Sequence, residues 1–332
     1  MTTFKEISGQ LIRTLSSDPA NPQEGQIWYN STIGVLKGYD LTLAAWASGG
    51  NLGTGRYSSS AAGTQTASVQ FGGNPYQPLY KQATEEYNGS TWTSGNPMPV
   101  GRADASGAGT QTAALSFGGN ASYPGFPQLT STLEYDGTNW TSGGTLGTGR
   151  SDLGGCGLQT AALGFGGASS PTAITNTEEY DGTSWTGGGS LGTARKELGS
   201  ATAGSQTAAL GFAGNTPPYS TLTDVSEEYN GTSWTAGGNY VTSNRILSGA
   251  GTQTAALGFG GIDPVGATGT TALYDGSSWT TSPASLSIAR YSATGVGTQT
   301  AALCAGGAGM PQTNATEEFT GAFLGTKTIT TS

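Results

Sequence analysis

Short apolar runs closed by paired glycines recur along the chain, and the words between them barely change. Ala161-Ala162-Leu163-Gly164-Phe165 ends at Gly166-Gly167 and leads to Thr177-Glu178-Glu179-Tyr180-Asp181-Gly182-Thr183-Ser184-Trp185, and versions of this passage occur six times. Self-similarity of that kind fixes the architecture before any single residue is interpreted. Trp46, Trp92, Trp140, Trp185, Trp234 and Trp279 mark the units, at spacings of 46, 48, 45, 49 and 45 residues. Each unit also carries an arginine (Arg56, Arg102, Arg150, Arg195, Arg245, Arg290) and a glutamine (Gln65, Gln111, Gln159, Gln206, Gln253, Gln299).

One unit reads as four short strands. Residues 102–108 form the first, a turn at Gly109-Thr110-Gln111 leads to Thr112–Phe117, and Gly118-Gly119 closes the second. After a variable loop the third strand ends at Tyr135, Asp136-Gly137 suits a two-residue hairpin turn, and the fourth carries Trp140. Strong helix formers are clustered nowhere, so the expected class is all-β. Four strands in about 45 residues is the size of a propeller blade, which cannot bury both faces alone. The last unit has Leu324 where a Trp is due, while Trp46–Gly53 reads as a fourth strand with no blade before it. The expectation is a six-bladed β-propeller over residues 41–332, closed by the strand around Trp46, since closure removes free sheet edges. A seven-bladed alternative makes the hairpin around Trp28 a partial blade completed by residues 323–330.

Residues 1–40 lie outside the repeat and read as an attachment arm. Ile7, Leu11, Ile12 and Leu15 have helical spacing, weakened by Gly9. Gln26–Asn30 and Val35–Tyr39, joined across Ser31–Gly34, read as a β-hairpin that must pack on a body or a partner to be stable.

Charge removes several functions. Charged residues make up 10% of the chain, the net charge is −9, and Lys and Arg are scattered, so a nucleic-acid surface is not expected. No apolar run reaches membrane-spanning length and no signal-peptide pattern opens the chain, so neither membrane insertion nor secretion is expected. There are 0 histidines, which excludes His-based acid–base work, the Ser-His-Asp triad and His metal sites. Cys156 and Cys304 stand alone in different units and read as buried fillers. No glycine run matches a phosphate loop, and no cofactor or metal is expected.

A Gly-Gly doublet ending a strand, then Tyr, then Trp, resembles the kelch repeat of β-propellers over roughly residues 46–324. The wording Gly251-Thr252-Gln253-Thr254-Ala255-Ala256-Leu257-Gly258-Phe259-Gly260-Gly261, with Glu178–Trp185, resembles kelch-like proteins of marine bacteriophages. Asp18-Pro19-Ala20-Asn21-Pro22-Gln23-Glu24-Gly25-Gln26-Ile27-Trp28-Tyr29-Asn30, with Gly34–Gly38, resembles the N-terminal segment of phage tail and fibre proteins. These likenesses imply a virion protein without enzymatic activity, a homo-oligomer in the particle that is joined to other virion proteins through residues 1–40. Two roles follow: a tail-fibre or appendage module that binds a host surface glycan or receptor, and a capsid-decorating or tail-adaptor protein with a structural role only.

Nine of the twelve glutamates lie just before the repeat Tyr or Phe. A catalytic or binding charge is expected once rather than in every blade, so the repeat Arg and Glu read as ion pairs that fix register. Because Ala272-Leu273 precede Tyr274, Arg245 is the arginine expected to lack a carboxylate. The repeat Trp and Tyr read as apolar mass between blades with a polar handle, and the repeat Gln as a cap on its own turn or a bridge between blades. Candidate binding residues lie in the variable loops: Tyr76, Tyr80, Tyr123, Phe126, Tyr219, Asp263 and Met310. A carboxylate-only glycosidase is the remaining enzymatic alternative. Its candidate acids include Asp104, Asp152 and Glu197, which are expected on one strand face.

Overall fold

Tyr135 pairs with Trp140 across the third and fourth strands of its unit, and the same pairing recurs as Tyr87 with Trp92, Tyr180 with Trp185, Tyr229 with Trp234 and Tyr274 with Trp279. The computed structural model describes residues 12–74, 82–121, 127–217, 221–309 and 313–329. Contacts divide the chain into two compact units, Met1–Ala44 with Gly321–Ser332 and Ala45–Thr320.

The larger unit is all-β, and among its described residues the repeats form six four-stranded antiparallel sheets, an arrangement consistent with a propeller. The third is typical: Gly154–Leu158, Ala161–Phe165, Thr177–Tyr180 and Trp185–Gly187 follow one another as neighbours. The last repeat supplies only three strands from its own sequence. Its fourth is β4 (Ala45–Ser48), which pairs with Thr316–Thr320 and sets Trp46 opposite Phe319. Apolar clusters straddle successive sheets: Cys156, Leu163 and Phe165 of one pack with Leu198, Ala209, Tyr229 and Trp234 of the next. The turn before Trp140 centres one residue later than expected. Gly137 has φ +89 and Asp136 N–H donates to Asn139 O at 3.2 Å, so Gly137-Thr138 forms the bend. The Asp136 carboxylate caps it, accepting from the N–H groups of Thr138 (2.8 Å) and Asn139 (2.7 Å).

Paired glycines end the second strands because the next repeat passes too close for a side chain. Gly167 N–H donates to Arg195 O at 2.8 Å, and a Cβ on Gly166, at φ +61, would lie 2.7 Å from that oxygen. The same constraint applies behind the fourth strand, where a Cβ on Gly144 would sit 2.2 Å from Thr183 O.

The smaller unit is a sheet of β1 (Arg13–Leu15), β2 (Ile27–Asn30), β3 (Val35–Thr42) and the C-terminal strand Phe323–Ile329. The expected hairpin forms, with Asn30 opposite Val35. The expected helix does not continue through Leu15: Arg13–Leu15 run parallel to Trp28–Asn30, whose edge offers the backbone partners that a three-residue helix end lacks. Residues 7 and 11 lie outside the described residues. The arm also extends beyond residue 40 and takes in the C-terminal segment, because Phe323–Ile329 pairs with β3 along seven residues. Trp28 is fully buried there, and its indole N–H, the Asn30 amide and the Lys37 ammonium converge on Asp18 at 3.1, 2.8 and 2.8 Å. The Lys37 bond leads in holding the Asp18 carboxyl down at about 2.

Gly144→Ala is expected to cost roughly 1–3 kcal/mol, since backbone must move to admit the methyl. Gly187→Ala, with nothing within 4 Å of its added Cβ, is expected to stay within about 0.5 kcal/mol of the parent. Urea unfolding of the two variants side by side checks this.

Candidate functional site

Five buried arginines occupy one repeated slot. Arg56, Arg150, Arg195 and Arg290 pair with Glu85, Glu178, Glu227 and Glu317 at 2.9, 3.1, 2.9 and 2.6 Å. The second carboxylate oxygen accepts a backbone N–H from the segment that follows the Trp of the preceding repeat: Gly53, Gly147, Gly192 and Ser287 at 2.7, 2.6, 2.6 and 2.8 Å. Arg102, the fifth, has Leu133 where the others have Glu. It donates instead to Ser131 O and Ser131 Oγ at 3.0 Å each and to the carbonyls of Ser116 and Gly118. Burial without a carboxylate lowers Arg102 to about 10.

Arg245 is not the sixth member. Its side chain is 34% exposed and pairs with Glu197 at 3.1 Å, so the arginine expected to lack a carboxylate has one, and Arg102 has none among the described ion pairs. Asn244 fills the slot: it is buried and its amide donates to Gly260 O at 3.0 Å, as Arg102 and Arg290 donate to Gly118 O and Gly306 O. The backbone gives the same alignment, since the φ-positive residue falls two after each other arginine but one after Arg245. Counting nine residues back from Gln253 reaches Asn244, as nine back from Gln299 reaches Arg290, so the signal was present in the sequence.

Three further side chains tie each repeat to the one before it. The Gln159 amide donates to Ala114 O and Tyr135 O of the preceding repeat at 3.1 and 2.8 Å, and all six glutamines repeat this, Gln65 reaching Ala302 O and Phe319 O. The repeat Gln is therefore a bridge between repeats. Tyr87, Tyr135, Tyr180, Tyr229 and Tyr274 donate to Glu318, Glu86, Glu134, Glu179 and Glu228 at 2.5–2.6 Å. Burial, then the adjoining carboxylate, raises Tyr135 and pushes the other four up to about 12. Trp46, Trp92, Trp140, Trp185, Trp234 and Trp279 donate their indole N–H to Thr271, Thr316, Thr84, Thr132, Thr177 and Ser226 at 2.8–3.0 Å. The rings also pack at a tilt: Trp185 lies 4.8 Å from Phe117 and 5.0 Å from Tyr180, centroid to centroid.

The φ-positive residues Ser58, Asp104, Asp152, Glu197, Ile246 and Ser292 form a belt. Each N–H donates to the carbonyl of its counterpart one repeat earlier at 2.8–3.0 Å, and Ser58 donates to Ser292, so the series of six returns to its start. These residues line a cavity of about 110 Å³, and the next layer (Ser59, Ala105, Leu153, Leu198, Leu247, Ala293) leads to another of about 140 Å³. Asp104, Asp152 and Glu197 are thus gathered at the belt rather than spread on a strand face, because the left-handed backbone turns each side chain out of the strand direction. Asn120 donates to Asp104 (3.2 Å), Ser151 to Asp152 (3.0 Å) and Asn215 to Glu197 (2.5 Å). Burial, with the Asp104 and Glu197 charges behind it, pushes Asp152 up to about 8, and burial raises Asp104 too. A protonated Asp152 can donate a hydrogen bond at neutral pH, but each cavity is smaller than the 300–1,000 Å³ usual for ligand pockets. Among the described residues no set of His, Cys, Asp and Glu is arranged to hold a metal ion.

Of the predicted binding residues, Tyr76, Tyr80, Tyr123, Phe126, Tyr219 and Met310 lie outside the described residues. Asp263 ends a two-residue strand, and its carboxylate accepts from Val265 N–H (2.8 Å) and Gly266 N–H (3.0 Å), so it shapes its own loop. Val265 at the tip is 97% exposed. No protein-family model matches the chain, and a search of curated proteins finds no match.

Two expectations follow. Glu178→Ala leaves Arg150 buried without its carboxylate and is expected to cost about 3–5 kcal/mol, whereas Arg150→Asn/Glu178→Ala, which copies Asn244 and Ala272, is expected to cost less than that single change. Chemical denaturation of the two variants checks it. The second concerns pH: Asp152 is at about 8 when folded against ~3.9 unfolded. Its stabilising contribution is complete below the unfolded value and is lost as pH rises towards the folded one. Without histidine, no other side-chain class ordinarily titrates between about pH 5 and 8. The melting temperature is therefore expected to fall across that window, and Asp104→Asn/Asp152→Asn to flatten the fall.

Proposed function

We propose that the repeat sheets form a closed six-bladed kelch-type β-propeller with β4 as the closing strand, and that the protein is a non-enzymatic virion component. Within the virion it acts as a tail-fibre or appendage module whose variable loops bind a host surface glycan or protein, while residues 1–40 join it to other virion proteins. The pairing of β4 with Thr316–Thr320 and the returning hydrogen-bond belt support closure. The virion setting rests on the likeness of the repeat wording and of Asp18–Asn30 to phage proteins.

The observation that carries the binding role is a contrast within each repeat. The Gln, Trp and belt bonds recur in all six units, yet the segments from the Gly doublet to the third strand run from eight residues (308–315) to twelve (120–131) and share no wording. A uniform frame holding dissimilar loops suits recognition, and Tyr, Phe and Pro supply contact area at low entropy cost. The small belt cavities favour this reading over carbohydrate hydrolysis.

A glycan array and a host-cell binding assay with the full chain test the proposal. Binding is expected, and Tyr76→Ala/Tyr123→Ala/Phe126→Ala is expected to abolish it with the melting temperature unchanged. Binding that survives the triple change would contradict the assignment, as would particle density in which these loops are covered by other virion subunits.

A further inference from the structure

The C-terminal strand Phe323–Ile329 lies at the edge of the smaller unit's sheet, and among the described residues its outer side has no partner. It is long for a free edge, seven residues against three in β1 at the opposite side. Phe323 and Leu324 are 51% and 45% exposed, and Thr326, Lys327 and Thr328 are exposed too. An exposed edge of this length and apolarity is a template for another strand.

The residue order selects the occupant. We propose that two copies of this chain pair antiparallel through this edge, about a two-fold axis at Thr326. That register is the one in which all seven residues find an opposite number. Phe323 faces the partner's Ile329, Leu324 the partner's Thr328, and Gly325 the partner's Lys327, with the two Thr326 side chains meeting on the axis. An aromatic residue opposite a β-branched one at both ends is a favourable cross-strand pair, and no two like charges stand directly opposed. A two-residue slip that centres the axis on Lys327 would oppose the two ammonium groups.

Charge completes the match. On β3, Asp40 stands opposite Gly325, so one row across the joined sheets reads Asp40, Gly325, partner's Lys327. Successive opposite residues share a face, which places the carboxylate and the partner's ammonium on the same side with no side chain at the position between them. The Phe323 ring leans over that glycine, 2.9 Å from where a Cβ would be, and offers the lysine stem an apolar surface. Within one chain Lys327 lies 3.9 Å from Asp40 and donates to Leu41 O at 3.5 Å, yet the Lys327 and Asp40 side chains stay 48% and 65% exposed, so each keeps a solvent-facing side for a second contact. The two-fold axis makes this row twice. The pairing involves only the sheet of the smaller unit and does not depend on what the variable loops bind.

Sedimentation equilibrium of the full chain into the high-micromolar range tests the proposal, with circular dichroism confirming that each variant folds. A monomer–dimer equilibrium is expected for the parent. Thr326→Lys sets two cations face to face on the axis and is expected to abolish it. Lys327→Asp and Asp40→Lys are each expected to weaken self-association by about tenfold, because each opposes like charges in both rows. Mixing the Lys327→Asp and Asp40→Lys proteins is expected to restore dimerisation as a one-to-one heterodimer. One row then joins the unchanged Asp40 of the first protein to the unchanged Lys327 of the second, and the other row joins the two introduced residues with their signs exchanged. A parent that stays monomeric throughout, or a dimer indifferent to Thr326→Lys and to mixing, would overturn the proposal.

Discussion

Burying polar groups between neighbouring repeats is costly unless they find partners, and this cost governs the larger unit, where the Tyr240 hydroxyl is an exception left without one among the described residues. Burying Tyr, Trp and Gln side chains between sheets is favourable for their apolar mass, but each also takes a donor out of water. A donor left unmatched costs more than a matched one contributes. Every repeat directs its Trp indole and Gln amide to the repeat before it, and the five that carry a Tyr direct its hydroxyl there too. The result is that sheets of four short strands, which could not persist alone, are held in one mutual register.

The departures from the repeat obey the same requirement. Leu273 replaces the carboxylate that should receive the sixth hydroxyl, and the residue that would have supplied it is Phe319 rather than Tyr. Donor and acceptor vanish together. Ala272 replaces an arginine-binding Glu, and the arginine slot of that repeat holds Asn244, which needs only a carbonyl. In the second repeat Leu133 replaces the Glu while Arg102 remains, and Ser131 supplies both its carbonyl and its hydroxyl to the orphaned guanidinium. Uncompensated burial of charge is severe enough that each loss is accompanied by a second change nearby.

Much of this was legible in the sequence, because the signals were local and repeated. The Trp spacing gave the unit, the doublets and Asp-Gly pairs gave the strand ends, and the missing Trp after Phe319 pointed to the segment around Trp46 as its substitute. The misreadings share a cause: they concern geometry that composition does not encode. Residue type aligns Arg245 with the repeat arginines, whereas the backbone aligns Asn244. Asp104, Asp152 and Glu197 read as strand residues because nothing in an Asp or Glu announces a left-handed backbone. Residues 12–15 carry a helical spacing but lie beside an open strand, and Phe323–Ile329 continues a repeat in sequence while pairing elsewhere in space. Long-range pairing overrides local pattern in both cases.

The uniform frame also explains how dissimilar loops are tolerated. Each tie is made by residues of the strands and their tight turns, outside the variable segments, so a loop can lengthen or change wording without disturbing any of them. The most direct test of that account is a double-mutant cycle across one tie, Tyr229→Phe with Glu179→Leu, which copies Phe319 and Leu273. The account predicts that the two changes together cost less than their sum, by about 1 kcal/mol or more of coupling. Additivity within about 0.3 kcal/mol would contradict it, because the hydroxyl and the carboxylate would then be buried independently of one another.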